Sequence, residues 1–245
     1  MQIVFIPGFM GNPHEFLTFA DKLPAGAQII TPPGFGCSDA EVTFENVNDW
    51  LEEQLIGLKI KECVLYGYSM GGRIATHYVC TAQRPKIKVK GLILESSGIG
   101  IGDKDKRKER YKADKVWAER FSSEPMKEVV TDWYSQTVFA DLTEEEKEKL
   151  ISIRSLNNGP RMARTLLGLS SGKMPYLLTQ LATLTIPVLY MHGSADEKYT
   201  ALAGKLSDAC PALTVKAIEG CGHNLHIRKP EIITEEITSF LEKLL

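Results

Sequence analysis

The stretch "CVLYGYSMGGRIA", Cys63–Ala75, decides the fold of this 245-residue chain. Its apolar beginning reads as a buried strand and its end, from Gly71 to Thr81, as a helix. Ser69 stands at the junction, with Gly67 and Gly71 two residues to either side. A serine in the pattern G-x-S-x-G, between a strand and a helix, occupies a strained turn whose neighbours must be small. The helix aims its free first-turn N–H groups and the positive end of its dipole at whatever reacts there. A glycine-rich turn can serve packing alone, but the strand–turn–helix context favours a reactive Ser69.

Working outward, short apolar runs alternate with longer helical patterns. "QIVFI", "AQIIT", "CVLYG", "GLILES", "PVLYMHG" and "LTVKAIEG" read as strands, several of them buried on both faces. Glu15–Leu23, Val47–Leu58, Gly71–Thr81, Tyr199–Ala209 and Pro230–Leu244 read as helices. That alternation predicts an α/β protein, a mostly parallel sheet covered by helices. Residues 103–178 break the rhythm, with helical patterns and no strand. "TEEE", Thr143–Glu146, is a capping box, and "SSEP" ahead of Met126 starts another helix with Pro125 in its first turn. The expected organisation is a core of residues 1–102 and 179–245 with a helical cap, 103–178, hinged on the flexible flanks "SSGIGIGD" and "GKMP".

Composition narrows the function. A net charge of -2 gives no long-range pull toward nucleic acid. No apolar stretch approaches the ~20 residues needed to cross a bilayer, and no secretory signal follows Met1. Cys37, Cys63, Cys80, Cys210 and Cys221 are odd in number and irregularly spaced, as in reduced cytoplasmic proteins rather than disulfide frameworks or zinc sites. The oligomeric state is left open.

A reactive serine needs a base and an acid. His223 in "EGCGHNLH" follows the last strand, and Asp196 in "MHGSAD" follows the one before. The order Ser69, Asp196, His223 and the placement at strand carboxyl ends suit a relay of this architecture. Asp196 could instead cap the helix beginning near Tyr199, and His223 could be an ordinary loop histidine. His226 is a rival base, His14 a candidate for the pocket mouth, His77 a helix residue and His192 a strand-end residue. "FIPGFMG" follows the first strand, and the backbone N–H groups of Phe9 and Met70 would form an oxyanion pair. Gly8 and Gly11 let that loop come close. "PPGFGCSD", Pro32–Asp39, reads as a further shaping loop.

These features resemble the α/β-hydrolase superfamily over nearly the whole chain. Two departures stand out. The extra antiparallel strands that usually open such proteins are missing, so the sheet should have about six or seven strands. The usual His-Gly of the oxyanion loop is Pro7-Gly8. "GYSMGGR", "ERYKADKVWAERFSSEP", "DWYSQTVFADL", "LISIRSLNNG", "HGSADEKYTALA" and "GHNLH" together look like the menaquinone-pathway family of 2-succinyl-6-hydroxy-2,4-cyclohexadiene-1-carboxylate synthases. The resemblance implies a lyase with a small polycarboxylate substrate and neither metal nor organic cofactor. Its triad would abstract a proton and expel pyruvate. A carboxylic-ester or thioester hydrolase working through a Ser69 acyl-enzyme is the alternative.

A polyanionic substrate would need fixed cations. Arg73 lies four residues after Ser69 on one helix face and can reach back over the turn. Arg110 shares a stripe with Trp117 and Phe121, and Arg154 one with Leu150 and Ile151. Charged groups on apolar stripes pair internally or face a ligand; Asp114 and Asp132 are the internal candidates. The family pattern has arginine at all three positions, and places Tyr68 and Trp133 at the site.

Overall fold

The computed structural model describes residues 1–34 and 40–244. Cys37 and most of the Pro32–Asp39 loop therefore lie outside the described residues. The chain opens with β1 (Gln2–Ile6), α1 (His14–Ala20), β2 (Gly26–Ile29) and α2 (Val47–Gly57). β3 (Glu62–Tyr68), α3 (Met70–Thr81) and β4 (Lys88–Glu95) follow. Next come α4 (Lys104–Ser123), α5 (Met126–Tyr134), a 3-10 turn (Thr137–Phe139), α6 (Glu144–Arg154), α7 (Gly159–Gly168) and α8 (Leu178–Ala182). The chain then returns through β5 (Val188–Gly193), α9 (Glu197–Ala209), β6 (Leu213–Ile218), α10 (Leu225–Arg228) and α11 (Pro230–Glu242).

The six strands lie in the order β2-β1-β3-β4-β5-β6, all parallel. Strand periodicity divides the core in two. Ile3, Phe5, Val64, Tyr66, Ile93 and Met191 pack toward α1 and α11. Val4, Ile6, Leu65, Leu92, Leu94 and Tyr190 pack toward α2, α3 and α9 and join the apolar side of the inserted helices. Both faces are covered, which is why these strands read as unbroken apolar runs. The order reverses between β1 and β3. Open α/β sheets form their ligand crevice outside the strand carboxyl ends at such a switch point. The loop after β1 and the turn after β3 meet there.

Several boundaries differ from the sequence reading for local reasons. α1 ends at Ala20, not Leu23, because Lys22 and Leu23 close tighter turns onto Phe19 and Ala20. Pro125 is the N-cap of α5 rather than its first turn, with an extended ψ of 126°. α9 starts at Glu197, two residues early, because Asp196 caps it. The glycine flanks are not slack. Gly100 has φ +91°, and a Cβ there would stand 2.1 Å from the Pro175 carbonyl oxygen of the other flank. Leu177 N–H donates to Ile99 O at 2.9 Å, so the two flanks are bonded to each other.

The turn at Ser69 imposes the tightest packing. A Cβ on Gly71 would lie 1.9 Å from the Ile6 carbonyl oxygen, so only glycine lets α3 start against β1. Gly71→Ala should cost on the order of 3 kcal/mol or prevent folding. Gly204 on α9 meets nothing within 4 Å, and Gly204→Ala should add about 0.5–1 kcal/mol by helix propensity. Denaturant unfolding of both variants checks the contrast; equal effects would contradict the packing described.

Candidate active site

Ser69 has φ 50° and ψ −107°, a left-handed backbone that a side chain rarely adopts. Its N–H donates to Glu95 O at 2.9 Å, and its carbonyl accepts from Arg73 N–H at 3.1 Å. The hydroxyl is thereby lifted off the end of β3 toward His223, whose Nε2 lies 3.0 Å from Ser69 Oγ. On the far side of the ring, Nδ1 is 3.4 Å from Asp196 Oδ2, long for a hydrogen bond. Such contacts commonly tighten when substrate binds. Asp196 serves two ends at once, because its Oδ1 accepts the Tyr199 N–H at 3.2 Å. The capping role and the pairing with His223 coexist on one carboxylate.

Burial sets the charge states. It pushes the His223 imidazole below its usual value, against the opposing pull of Asp196. Burial works to raise the Asp196 carboxyl, but His223 outweighs it and holds the group below the ordinary aspartate range. A neutral imidazole beside an ionised carboxylate is the state of a competent base. Tyr68, Phe139 and Tyr199 pack their rings around His223 at centroid distances of 5.4, 6.0 and 5.2 Å.

The loop after β1 is pressed onto the serine. A Cβ on Gly8 would stand 2.7 Å from the Tyr68 ring and 3.4 Å from Ser69 Cβ. That brings the Phe9 backbone beside Ser69. Met70 opens α3 without any side-chain cap on its first turn. The first-turn N–H of α3 and the loop after β1 thus both lie beside Ser69.

A cavity of about 750 Å³ opens on this constellation. Phe9, Tyr68, Ser69, Arg73, Arg110, Trp133, Arg154 and His223 all line it, while Met70 and Asp196 lie behind its wall. The three arginines differ. Arg73 Nη2 donates to Leu169 O at 3.0 Å, and its Nε is buried with no partner among the described residues. Burial, helped by nearby Arg110, lowers Arg73 to about 10. Arg154 Nη2 donates to Glu15 Oε1 at 2.8 Å, and its Nε is likewise buried and unpartnered. Arg110 is more exposed and pairs through Nε with Asp114 at 2.9 Å. The internal partner considered in the sequence was thus right for Arg110, whereas Asp132 pairs with Arg120 instead. Trp133 both faces the cavity and packs in an aromatic cluster, 5.2 Å from Phe9 and 5.0 Å from Trp117.

The α/β hydrolase fold family model matches residues 2–230. A 2-succinyl-6-hydroxy-2,4-cyclohexadiene-1-carboxylate synthase of Yersinia enterocolitica is 34% identical, over 98% of this chain and 86% of that protein. The synthase of the same name from Escherichia coli is 33% identical, over 98% of this chain and 93% of that one. This chain belongs to that synthase family, within the α/β-hydrolase fold. The solved structure of MenH from S. aureus superposes on this synthase-family chain with TM-score 0.91 at 28% identity, covering 100% of this chain and 94% of the other. A thermophilic esterase from Thermogutta terrifontis, at 22% identity, gives TM-score 0.79 over 100% and 90% and shares the fold.

This synthase-family site holds residues that sequence reasoning passed over. Asp141, after the 3-10 turn, accepts the Gly222 N–H at 2.7 Å and so ties the inserted helices to the His223 loop. Lys106, Lys198 and Lys205 line the outer cavity. Lys198 and Lys205 share a helical face with Ala201 and Leu202, a signal readable as spacing alone. His226 points away from Ser69, with its Nδ1 2.7 Å from Glu95. His14 is exposed on α1 and does not line the cavity. His77 bonds Asn48, and His192 bonds Thr200.

If His223 activates Ser69, a neutral fluorophosphonate should label Ser69, and the rate should stay high until the pH drops below about 6.5. The sign follows from the lowered His223 value: the base form survives further into acid. His223→Ala should slow labelling about a hundredfold or more. Equal labelling by parent and variant in a timed mass-spectrometric assay would refute the pairing.

Proposed function

We propose that this protein converts 2-succinyl-5-enolpyruvyl-6-hydroxy-3-cyclohexene-1-carboxylate to 2-succinyl-6-hydroxy-2,4-cyclohexadiene-1-carboxylate and pyruvate, a lyase step of menaquinone biosynthesis. The observation that carries the reading is the pair of buried guanidinium groups, Arg73 and Arg154. Each keeps an unpartnered Nε, and both stand on the cavity that holds Ser69 and His223. An orphaned buried N–H costs about 1–3 kcal/mol, more for a charged group, and a substrate carboxylate against the cavity side of the same guanidinium offsets that cost. A neutral ester offers nothing comparable. The sequence relatives carry the name of this synthase.

Ser69 acts as the base in this reading. His223, oriented by Asp196, accepts the hydroxyl proton as Ser69 Oγ takes the proton from the ring carbon next to the succinyl carbonyl. The electron pair moves through the carbonyl system, whose oxygen gains charge. The Phe9 and Met70 N–H groups hold that oxygen, each such donor contributing about 3 kcal/mol by precedent. The pair returns to form the C2=C3 double bond, the existing C3=C4 double bond shifts to C4=C5, and the carbon–oxygen bond from C5 to the enolpyruvyl group breaks. The departing enolate takes up the proton and becomes pyruvate, so atoms and charge balance without an added reactant. Arg73 and Arg154 hold carboxylates against the inner wall, and Arg110, Tyr68 and Trp133 bound the rest. Residues 103–178 serve as a cap on the core of 1–102 and 179–245, keeping water from the intermediate. The protein works in the cytoplasm as a free-thiol protein, as its thiol usage indicates; Cys63, Cys80, Cys210 and Cys221 are free. Among the described residues, no helix is long and apolar enough to cross a membrane.

Supplying the enolpyruvyl substrate and following pyruvate together with the ultraviolet absorbance of the diene tests this directly. Arg73→Ala and Arg154→Ala should each lower kcat/KM at least tenfold, or about 1.4 kcal/mol. Ser69→Ala should abolish turnover. A stoichiometric acyl burst with simple esters and no pyruvate release would establish the hydrolase instead.

A further inference from the structure

Beneath the cavity wall, behind Arg154, lies a column of buried charge whose other members the chemistry above does not use. Arg154 of α6 pairs with Glu15 of α1 at 2.8 Å. The other oxygen of Glu15 is 3.6 Å from His226 Nε2. His226 Nδ1 is 2.7 Å from Glu95 Oε1 at the end of β4, and its backbone N–H donates to the same oxygen at 3.1 Å. Tyr66 O–H donates to Glu95 Oε2. The side chains of Arg154, Glu15, His226 and Glu95 are 2%, 9%, 0% and 0% exposed. Read from the cavity inward, the signs alternate: cation, anion, cation, anion.

Burying four charges is expensive, and a hydrophobic replacement is often as stable. What such a replacement cannot do is hold a guanidinium at a cavity wall. Both ends of the column reach the site. Arg154 lines the cavity and donates through Nη1 to Phe9 O at 3.4 Å, within the loop pressed onto Ser69. Glu95 accepts the Ser69 N–H through its own carbonyl at 2.9 Å.

Resting on the polycarboxylate reading of the site, we propose that His226 is a positioning residue, an imidazolium bridging Glu15 and Glu95. It keeps the column electrically neutral, so that Arg154 presents its charge to a substrate carboxylate. Without that cation, two carboxylates face one arginine. They draw it inward, and their surplus negative charge repels an anionic ligand. His226 is therefore not the base: its Nδ1 is bonded to Glu95, and its Nε2 faces Glu15 at 3.6 Å, an ion-pair rather than a hydrogen-bond distance.

The surroundings favour the charged ring. Burial would lower His226, but Glu95 and Glu15 bring it up to about 9. Burial would raise Glu15, but Arg154 and His226 hold it at about 2. The groups facing the ring are Glu15 from α1, Glu95 from β4 and the Tyr68 ring from β3 at 4.7 Å. Arg154 from α6 lies beyond Glu15, and Tyr66 from β3 beyond Glu95. Below about pH 9 the column is neutral; above it, one negative charge appears under the cavity.

The test measures succinate binding by intrinsic tryptophan fluorescence, and kcat/KM for pyruvate release, from pH 6 to 10. The parent should lose about tenfold in both as the pH rises through 9. His226→Gln should be at least tenfold weaker at pH 7, without that limb. The double variant E95Q/H226Q restores neutrality by removing one charge of each sign. It should return to within about threefold of the parent at pH 7 and remain flat through 9. The cavity lining other than the column is the same in all three proteins, so the differences between profiles carry the reading. A double variant as weak as the single one, or a His226→Gln profile matching the parent, would overturn the proposal. If His226→Gln fails to fold, the parent and the double variant decide it. Succinate binding with the expected profiles but no pyruvate release would remove the reaction and leave the column standing.

Discussion

The backbone at Ser69 constrains everything around it. A left-handed φ of 50° on a residue with a side chain is a strained state, costing on the order of 1–3 kcal/mol, and it persists only where its surroundings leave no alternative. Here they leave none. The Ser69 amide is bonded to the end of β4, its carbonyl receives the second turn of α3, and Ser97 Oγ donates to that carbonyl at 3.2 Å. Gly71 lets α3 begin in contact with β1, and Gly8 lets the oxyanion loop lie on the serine. Relaxing the turn would separate the hydroxyl from His223 and from both amides together. The cavity, its arginines and its base are arranged about a point that the sheet itself fixes.

Electrostatics supplies the second half of the design. Arg73, Arg154, Asp196 and His223 are all buried, and burial favours the neutral form of each, so their partners decide which stay charged. His223 has one carboxylate at a long distance, and desolvation keeps it neutral. His226, three residues on, has two carboxylates and is held charged. The same type of side chain on the same short segment is thus held toward the neutral form at one position and toward the charged form at the other. Arg73 and Arg154 illustrate a similar division. Arg73 has a carbonyl as its hydrogen-bond partner and a neighbouring cation, with Asp114 acting only from farther off. Arg154 has Glu15, and its availability to a ligand depends on how Glu15 is shared.

The helices between β4 and β5 are joined to the core at several charged or polar points rather than through an apolar face alone. Arg154 meets Glu15, Asp141 meets Gly222, and Arg228 grips Glu146 through both carboxylate oxygens at 2.7 Å. Each contact falls near the Phe9 loop, the His223 loop or the segment after it. Directional bonds of this kind fix register, which apolar packing does less sharply. The glycine flanks contribute by the closeness of their approach, since Gly100 and Pro175 leave no room between them.

Much of this was legible in the chain because it is written in local patterns. The strand–turn–helix around Ser69, the alternation of apolar runs with helical stripes, and the order of Ser69, Asp196 and His223 depend on neighbours in sequence. Arg73 could be read from its position four residues along the same helix. What sequence alone could not decide were pairings between distant segments. Glu15 looked like an ordinary first-turn acid of α1, Glu95 like a strand end, and His226 like a competitor of His223. Whether a charged side chain is a ligand group, a helix cap or one half of a buried pair depends on which partner folding brings within 3–4 Å. That distance is set by sheet order and helix packing across the molecule, so only the tertiary structure assigned Glu15 to Arg154 and Glu95 to His226, whereas Arg110 and Asp114 are four residues apart on one helix.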